Sequence, residues 1–163
     1  MKIIPILLFG FNLLFPSPSR EIIKGKVVNV RDGNTIELIT EENESYKIEL
    51  AGVDCPEPEQ PFGPEAKHLL EKNIKGKNVE AFIEGKNRWG VRQAIVIPKG
   101  GDDPRIKLLA EGLAWTSEKN AIPELESIRV DAQAHGVGLW KEKEPTPPWI
   151  FRRHQTMLTP KYR

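Results

Sequence analysis

Between Ile22 and Val53 three short runs of β-branched and apolar residues are parted by two polar turns, and this spacing fixes how the fold must begin. Ile22–Val30 leads into Asp32-Gly33-Asn34, and Thr35–Thr40 runs back. Asp-Gly between two such runs is a strong hairpin signal, because the turn needs backbone angles that Gly and Asn tolerate. Glu41-Glu42-Asn43-Glu44-Ser45 supplies the second turn. Tyr46–Val53 then alternates, with Tyr46, Ile48 and Leu50 on one face and Lys47 and Glu49 on the other. The pattern is that of a three-stranded meander.

The rest of the chain adds two strands and three helices. A Pro-rich loop, Cys55 to Pro64, precedes a helix predicted from Glu65 to Asn73 and closed by Gly76. Val79–Ile83 and Gln93–Ile97 read as strands, joined by a loop that carries Arg88, Trp89 and Gly90. After the Gly100-Gly101-Asp102-Asp103 turn, Ile106, Leu109, Ala110 and Leu113 fall at helical spacing. Leu125, Ile128 and Ala132 do the same in a third helix that ends near Gly136 and Gly138. Pro145, Pro147 and Pro148 predict an extended, mobile tail. The sum is an α+β chain, mainly β, for which a five-stranded OB-type barrel with three helices satisfies the strand count and closes its own edges. Internal repeats are absent.

With 163 residues, 39% of them hydrophobic and 29% charged, the chain has apolar material for one core and not for two. The first nineteen residues stand apart. Lys2 precedes an almost unbroken apolar run, Ile3–Phe15, with Gly10 and Asn12 inside it, followed by Ser17 and Ser19. That run is short for a bilayer span and suits the apolar region of a signal peptide, so residues 1–19 are expected to be an export segment. A short buried helix and an uncleaved membrane anchor are the alternatives. The expected location is secreted or periplasmic, with no stable membrane association once the segment is removed. The globular part, 22–153, is expected to act as a monomer, and 154–163 as a flexible basic tail.

Without Lys2 the 24 Lys and Arg become 23, against 23 Asp and Glu, so the remainder carries no net charge. A strongly non-specific nucleic-acid binder is expected to be basic overall. Charge is instead segregated: residues 20–60 hold ten acidic and five basic side chains, and residues 141–163 hold six basic and two acidic. The single cysteine, Cys55, excludes an internal disulfide. With no histidine near it in sequence, Cys55 reads as a small buried side chain rather than a nucleophile. His68, His135 and His154 show no metal-ligand spacing.

Six segments in order carry a family resemblance. They are Val30-Arg31-Asp32-Gly33-Asn34-Thr35-Ile36, Ala51-Gly52-Val53-Asp54-Cys55-Pro56-Glu57, Gln60-Pro61-Phe62-Gly63-Pro64-Glu65-Ala66, Asn87-Arg88-Trp89-Gly90, Gly112-Leu113-Ala114-Trp115, and Gly138-Leu139-Trp140 with Pro148-Trp149. Over roughly residues 24–153 the chain resembles the staphylococcal nuclease (thermonuclease) family. Each segment is weak alone, and their order and spacing make the match specific. The resemblance implies calcium-dependent hydrolysis of phosphodiester bonds in DNA or RNA. Such chemistry needs oxygen ligands for a hard cation, a carboxylate that orients or deprotonates water, and cations that clamp the phosphate.

Carried over position by position, Asp54 is a metal-binding aspartate and Glu57 the general base. Asn34, Thr35 and the Cys55 backbone carbonyl complete the implied metal surroundings. Departures are equally plain. Asn34 stands where the family has a ligand aspartate, and Glu49 and Val91 stand where it has two clamp arginines. Lys47 on Glu49's strand face and Arg92 beside Val91 are the candidate substitutes, although lysine lacks the bidentate fork of arginine. Arg88 and Trp89 are candidate substrate contacts, Trp89 by stacking on a base or else by packing over the barrel. Arg152-Arg153-His154 reads either as phosphate contacts or as a solvated basic end. Two functional readings follow: an exported nuclease of weak or lost activity, or a catalytically silent barrel that binds nucleic acid or a protein partner. Under the silent reading Asp54 and Glu57 are loop carboxylates capping a turn.

Overall fold

The computed structural model describes residues 20–119 and 121–158. The export segment inferred for residues 1–19 and the tail end 159–163 lie outside the described residues. Five strands close a barrel: β1 (Ile22–Val30), β2 (Thr35–Ile39), β3 (Ser45–Leu50), β5 (Asn78–Lys86) and β6 (Arg92–Pro98), in the order β1-β2-β3-β6-β5. β1 is long enough to pair with both β2 and β5, and these antiparallel ladders close the wall. β3 and β6 run parallel, with Ile48 opposite Arg92 and Leu50 opposite Ala94. Val27, Val30, Ile36, Leu38, Ile48, Leu50, Ala81, Ala94 and Val96 fill the interior, so the alternation read in the meander is the inward face of the barrel.

Four α-helices lie outside the barrel among the described residues: α1 (Gly63–Ile74), α2 (Pro104–Ala110), α3 (Pro123–Ala134) and α4 (Pro148–Leu158). Ala66, Leu70 and Ile74 bury one stripe of α1, and Leu108 and Leu109 do so for α2. The first three helices start with proline in the first turn, where its missing N–H costs nothing. In α2 the Asp103 carboxylate also accepts from the Arg105 N–H as an N-cap. Among the described residues no helix is long and apolar enough to cross a membrane.

The structure corrects three sequence expectations. The run Tyr46–Val53 is not one strand: Gly52, at φ 79°, turns the chain, and Val53–Asp54 forms a separate short strand, β4. Its partner is β7 (Trp115–Thr116), with Val53 opposite Thr116 and Asp54 opposite Trp115. The helical spacing that reaches Leu113 stops at Ala110. Residues 148–158, read as part of an extended tail, are the fourth helix, because Pro147 and Pro148 sit where a helix begins and Pro148 is fully buried.

Candidate functional site

The hairpin turn between β1 and β2 seats directly on the loop that follows β4. A Cβ built on Gly33 would lie 2.5 Å from the Cys55 Cβ and 2.7 Å from the Ala66 Cβ, so only glycine allows this approach. The Asn34 N–H donates to the Asp32 side chain at 3.0 Å, and the Asn34 carbonyl accepts from the Leu50 N–H at 2.8 Å. The turn is thereby pinned beside Asp54 and Glu57, both of which feel the Asp32 charge. Thr35 is buried, paired with Glu49 across β2 and β3.

Buried contacts fix the strand and loop that carry the carboxylates. Arg105, itself buried, donates from Nη1 to the Ala51 carbonyl at 2.7 Å while holding Asp103 in an ion pair. The Ala51 N–H donates to the Ala94 carbonyl and the Ser117 N–H to the Gly52 carbonyl, both just before β4. Gln60 closes the loop by accepting from the Glu57 N–H at 2.9 Å.

Asp54 and Glu57 are brought together by a residue that sequence reading placed on the basic end. Arg152, in α4, donates from Nη1 to Asp54 Oδ1 at 3.1 Å and to Glu57 Oε1 at 2.6 Å, and from Nη2 to Asp54 Oδ2 at 2.7 Å. The fork is bidentate on Asp54, the strongest arrangement of this pair type. Burial pushes the Asp54 and Glu57 carboxyls above their ordinary values, and the Arg152 hydrogen bonds pull them part of the way back. Arg152 is itself raised, chiefly by its hydrogen bond to Asp54. The one sequence signal for this contact was the segregation of charge, an acidic first third against a basic end.

The two positions at which the resemblance implied clamp arginines meet at Asn87. Its Nδ2 donates to Glu49 Oε1 at 2.8 Å, and its Oδ1 accepts from the Val91 N–H at 3.0 Å. A carboxylate–amide hydrogen bond thus stands where a cation was implied. Neither suggested substitute replaces it. Arg92 pairs with Glu21 at 3.3 Å and lies over the Tyr46 ring at 5.0 Å, and Lys47 is exposed opposite Glu37. Trp89 does not pack over the barrel: it is 66% exposed at the tip of the β5–β6 loop, with the Arg88 guanidinium 4.1 Å from its ring. Cys55 is buried and its thiol is pushed well up by that burial, which leaves it neutral.

The oxygen donors of Asn34, Asp54 and Glu57 have the hard chemistry that calcium takes. Their arrangement does not fit the ion, because both Asp54 oxygens and one Glu57 oxygen already accept from Arg152. Among the described residues no group of three His, Cys, Asp or Glu side chains is placed to hold a metal.

A barrel of this order, with the site loop between its third strand and first helix, defines an SNase-like OB fold. The chain belongs to the staphylococcal nuclease homologue family, whose signature matches residues 47–142. It is 32% identical over 154 residues to a protein of Haemophilus influenzae named "Uncharacterized endonuclease", covering 92% of this chain and 86% of that one. It is 31% identical over 155 residues to an Escherichia coli O157:H7 protein of the same name, covering 94% and 99%. The "Staphylococcal-like nuclease CAN1" of Arabidopsis thaliana is 33% identical over 113 residues, 68% of this chain and 34% of that protein.

Proposed function

We propose that this chain is an exported endonuclease that hydrolyses phosphodiester bonds in DNA or RNA with low turnover. The observation that carries the reading is the Asp54–Glu57 pair, on a short strand and loop inside the family-matched region. In hydrolysis, water oxygen attacks phosphorus, the ester P–O bond breaks, and the leaving oxygen takes a proton from solvent. Glu57 would accept the proton of the attacking water. Burial suits it to that task, since a carboxyl raised above its ordinary value is a stronger base once ionised. Dependence on calcium is implied by the family resemblance alone, because the Asp54 and Glu57 oxygens bonded to Arg152 do not fit the ion as they stand.

The low turnover follows from the Asn87–Glu49 hydrogen bond. Losing one charged donor to a developing phosphorane charge typically costs about a hundredfold in rate, and here two clamp positions lack one. The same observation favours a second reading, a silent barrel that binds nucleic acid or a protein partner without cleaving it.

The deciding experiment is hydrolysis of single-stranded DNA and RNA with calcium and with chelator, beside Glu57→Gln. Calcium-dependent cleavage lost in Glu57→Gln establishes the nuclease. Cleavage that survives in Glu57→Gln traces to a contaminant, and no cleavage by a folded barrel selects the silent reading.

A further inference from the structure

Arg152 is a fixture of the site. Gln60 Nε2 donates to the Thr146 carbonyl at 2.9 Å just ahead of α4, and Pro148 is fully buried in the first turn of that helix. Trp149 stands edge-on to Trp115, the strand partner of Asp54, at 5.7 Å. These anchors set the start of α4 against the elements that carry the two carboxylates. Asp54 then takes both ends of the guanidinium fork, at 3.1 and 2.7 Å. The oxygens that a divalent ion would need are taken up by a cation of the chain itself, which is why the ion implied by the family does not fit.

A metal ion supplies two things when a phosphodiester is cleaved: charge that offsets the developing phosphorane, and an activated water as nucleophile. Arg152 can supply the first. Its Nη1 protons go to Asp54 and Glu57, and one Nη2 proton goes to Asp54. Nε–H and the second Nη2 proton have no acceptor among the described residues, and the side chain is 40% exposed, so both are open to a phosphate. Glu57, 27% exposed, gives Oε1 to Arg152, and no donor among the described residues is bonded to its Oε2. A guanidinium and a proton acceptor thus stand side by side. The second thing, an activated water, has no source in this arrangement.

A site of this kind works best on a substrate that carries its own nucleophile beside the phosphorus. RNA has one in the 2′-hydroxyl, and DNA has none. Well-placed intramolecular groups act at effective concentrations on the order of 10⁵ M or more, which free water cannot match.

We propose that this site cleaves RNA in preference to DNA and without a metal ion, with Glu57 as base toward the 2′-hydroxyl and Arg152 as the cation on the phosphate. The inference rests on the nuclease reading and narrows it, because the substrate's hydroxyl replaces water in the first step. Glu57 Oε2 accepts the 2′-hydroxyl proton, O2′ bonds to phosphorus, and the bond from phosphorus to O5′ breaks. O5′ takes a proton from solvent and Glu57 returns its own, leaving a 2′,3′-cyclic phosphate and a 5′-hydroxyl end. Asp54 is a positioning residue that fixes the guanidinium through both of its oxygens. Two carboxylates against one guanidinium leave the triad negative, which keeps turnover low and makes Arg152 indispensable to any phosphate that enters.

The test incubates the full chain, in chelator and in calcium, with a single-stranded oligoribonucleotide, its 2′-O-methyl counterpart and DNA of the same sequence. RNA should be cut to cyclic-phosphate ends at rates that agree within twofold in chelator and in calcium. The DNA and 2′-O-methyl strands should be cut at least tenfold more slowly. Glu57→Gln and Arg152→Gln should each lose at least tenfold in rate on RNA, and Arg152→Lys should recover part of the loss. Lys99→Gln, which removes an exposed charge in the turn after β6, should change the rate less than twofold. Near-UV circular dichroism of the tryptophan cluster checks the fold of each variant, and the comparison of strands needs no variant at all. DNA or 2′-O-methyl cleavage within tenfold of RNA, cleavage that chelator stops, or full activity in folded Arg152→Gln overturns the proposal and leaves the nuclease reading standing. No cleavage of any strand by the folded chain, with calcium or without, overturns the nuclease reading itself.

Discussion

Gln60 donates from Nε2 to the Thr146 carbonyl at 2.9 Å and accepts on Oε1 from the Glu57 N–H at 2.9 Å. One buried amide thereby joins the loop of the candidate base to the segment that begins α4, 86 residues away in sequence. Gln60→Leu keeps the volume and removes both part-buried hydrogen bonds. Each contributes about 0.5–1.5 kcal/mol, so denaturant unfolding should lose roughly 1–3 kcal/mol. Amide exchange in 148–158 should rise before global unfolding does, and equal protection there would show that Gln60 does not hold the helix.

Gly33 is required by a close approach, with its missing Cβ sited 2.5 Å from Cys55 Cβ and 2.7 Å from Ala66 Cβ. Gly33→Ala should destabilise by about 1–3 kcal/mol through overpacking. Adding Ala66→Gly should recover part of that loss despite the poorer helix propensity of glycine, and a double variant no better than the sum of the singles would exclude the clash.

Arg105 and Asp103 form a buried ion pair, and the Arg105 Nη1 also satisfies the Ala51 carbonyl just before β4. Arg105→Met is expected to cost about 3–5 kcal/mol, since it strands the Asp103 charge. The companion Asp103→Asn/Arg105→Met should restore much of the stability, which thermal unfolding of the two variants will read.

Glu126 accepts from the Thr116 hydroxyl at 2.5 Å and from Arg129, tying α3 to β7, the strand partner of Asp54. The Arg129 hydrogen bond first, and the Thr116 bond after it, hold the Glu126 carboxyl below its ordinary value of about 4.5. A carboxyl depressed in the folded state gives stability that is present above the unfolded value and is lost as pH falls through the folded one. Below about pH 4.5 the native chain should therefore lose stability more steeply than Glu126→Gln. Parallel stability curves between pH 6 and about pH 3 would remove Glu126 from the acid response.

Local chemistry made most of the barrel legible. The Asp-Gly turn, the alternation of Tyr46, Ile48 and Leu50, the Gly76 stop of α1 and the helical spacing in α3 each involve neighbours a few residues apart. The loop bearing Asp54 and Glu57 was legible as well, through its resemblance to a family, as was the absence of arginine at positions 49 and 91. β7 was not, because two residues carry no periodicity, and Trp115–Thr116 becomes a strand only by pairing with Val53–Asp54. Nor was the bond from Asn87 to Glu49, which depends on where the β5–β6 loop folds back.

The basic end shows the division most clearly. From sequence, the six basic residues among 141–163 read as a solvated basic end ahead of phosphate contacts. Charge fixes the sign of a partner and not its address, because Coulomb attraction is long-ranged and non-directional. The address came from packing. Buried Pro148, Trp149 against Trp115 and Gln60 bonded to Thr146 set the start of α4 on the site, and only then did the Arg152 fork fall on Asp54, 98 residues away.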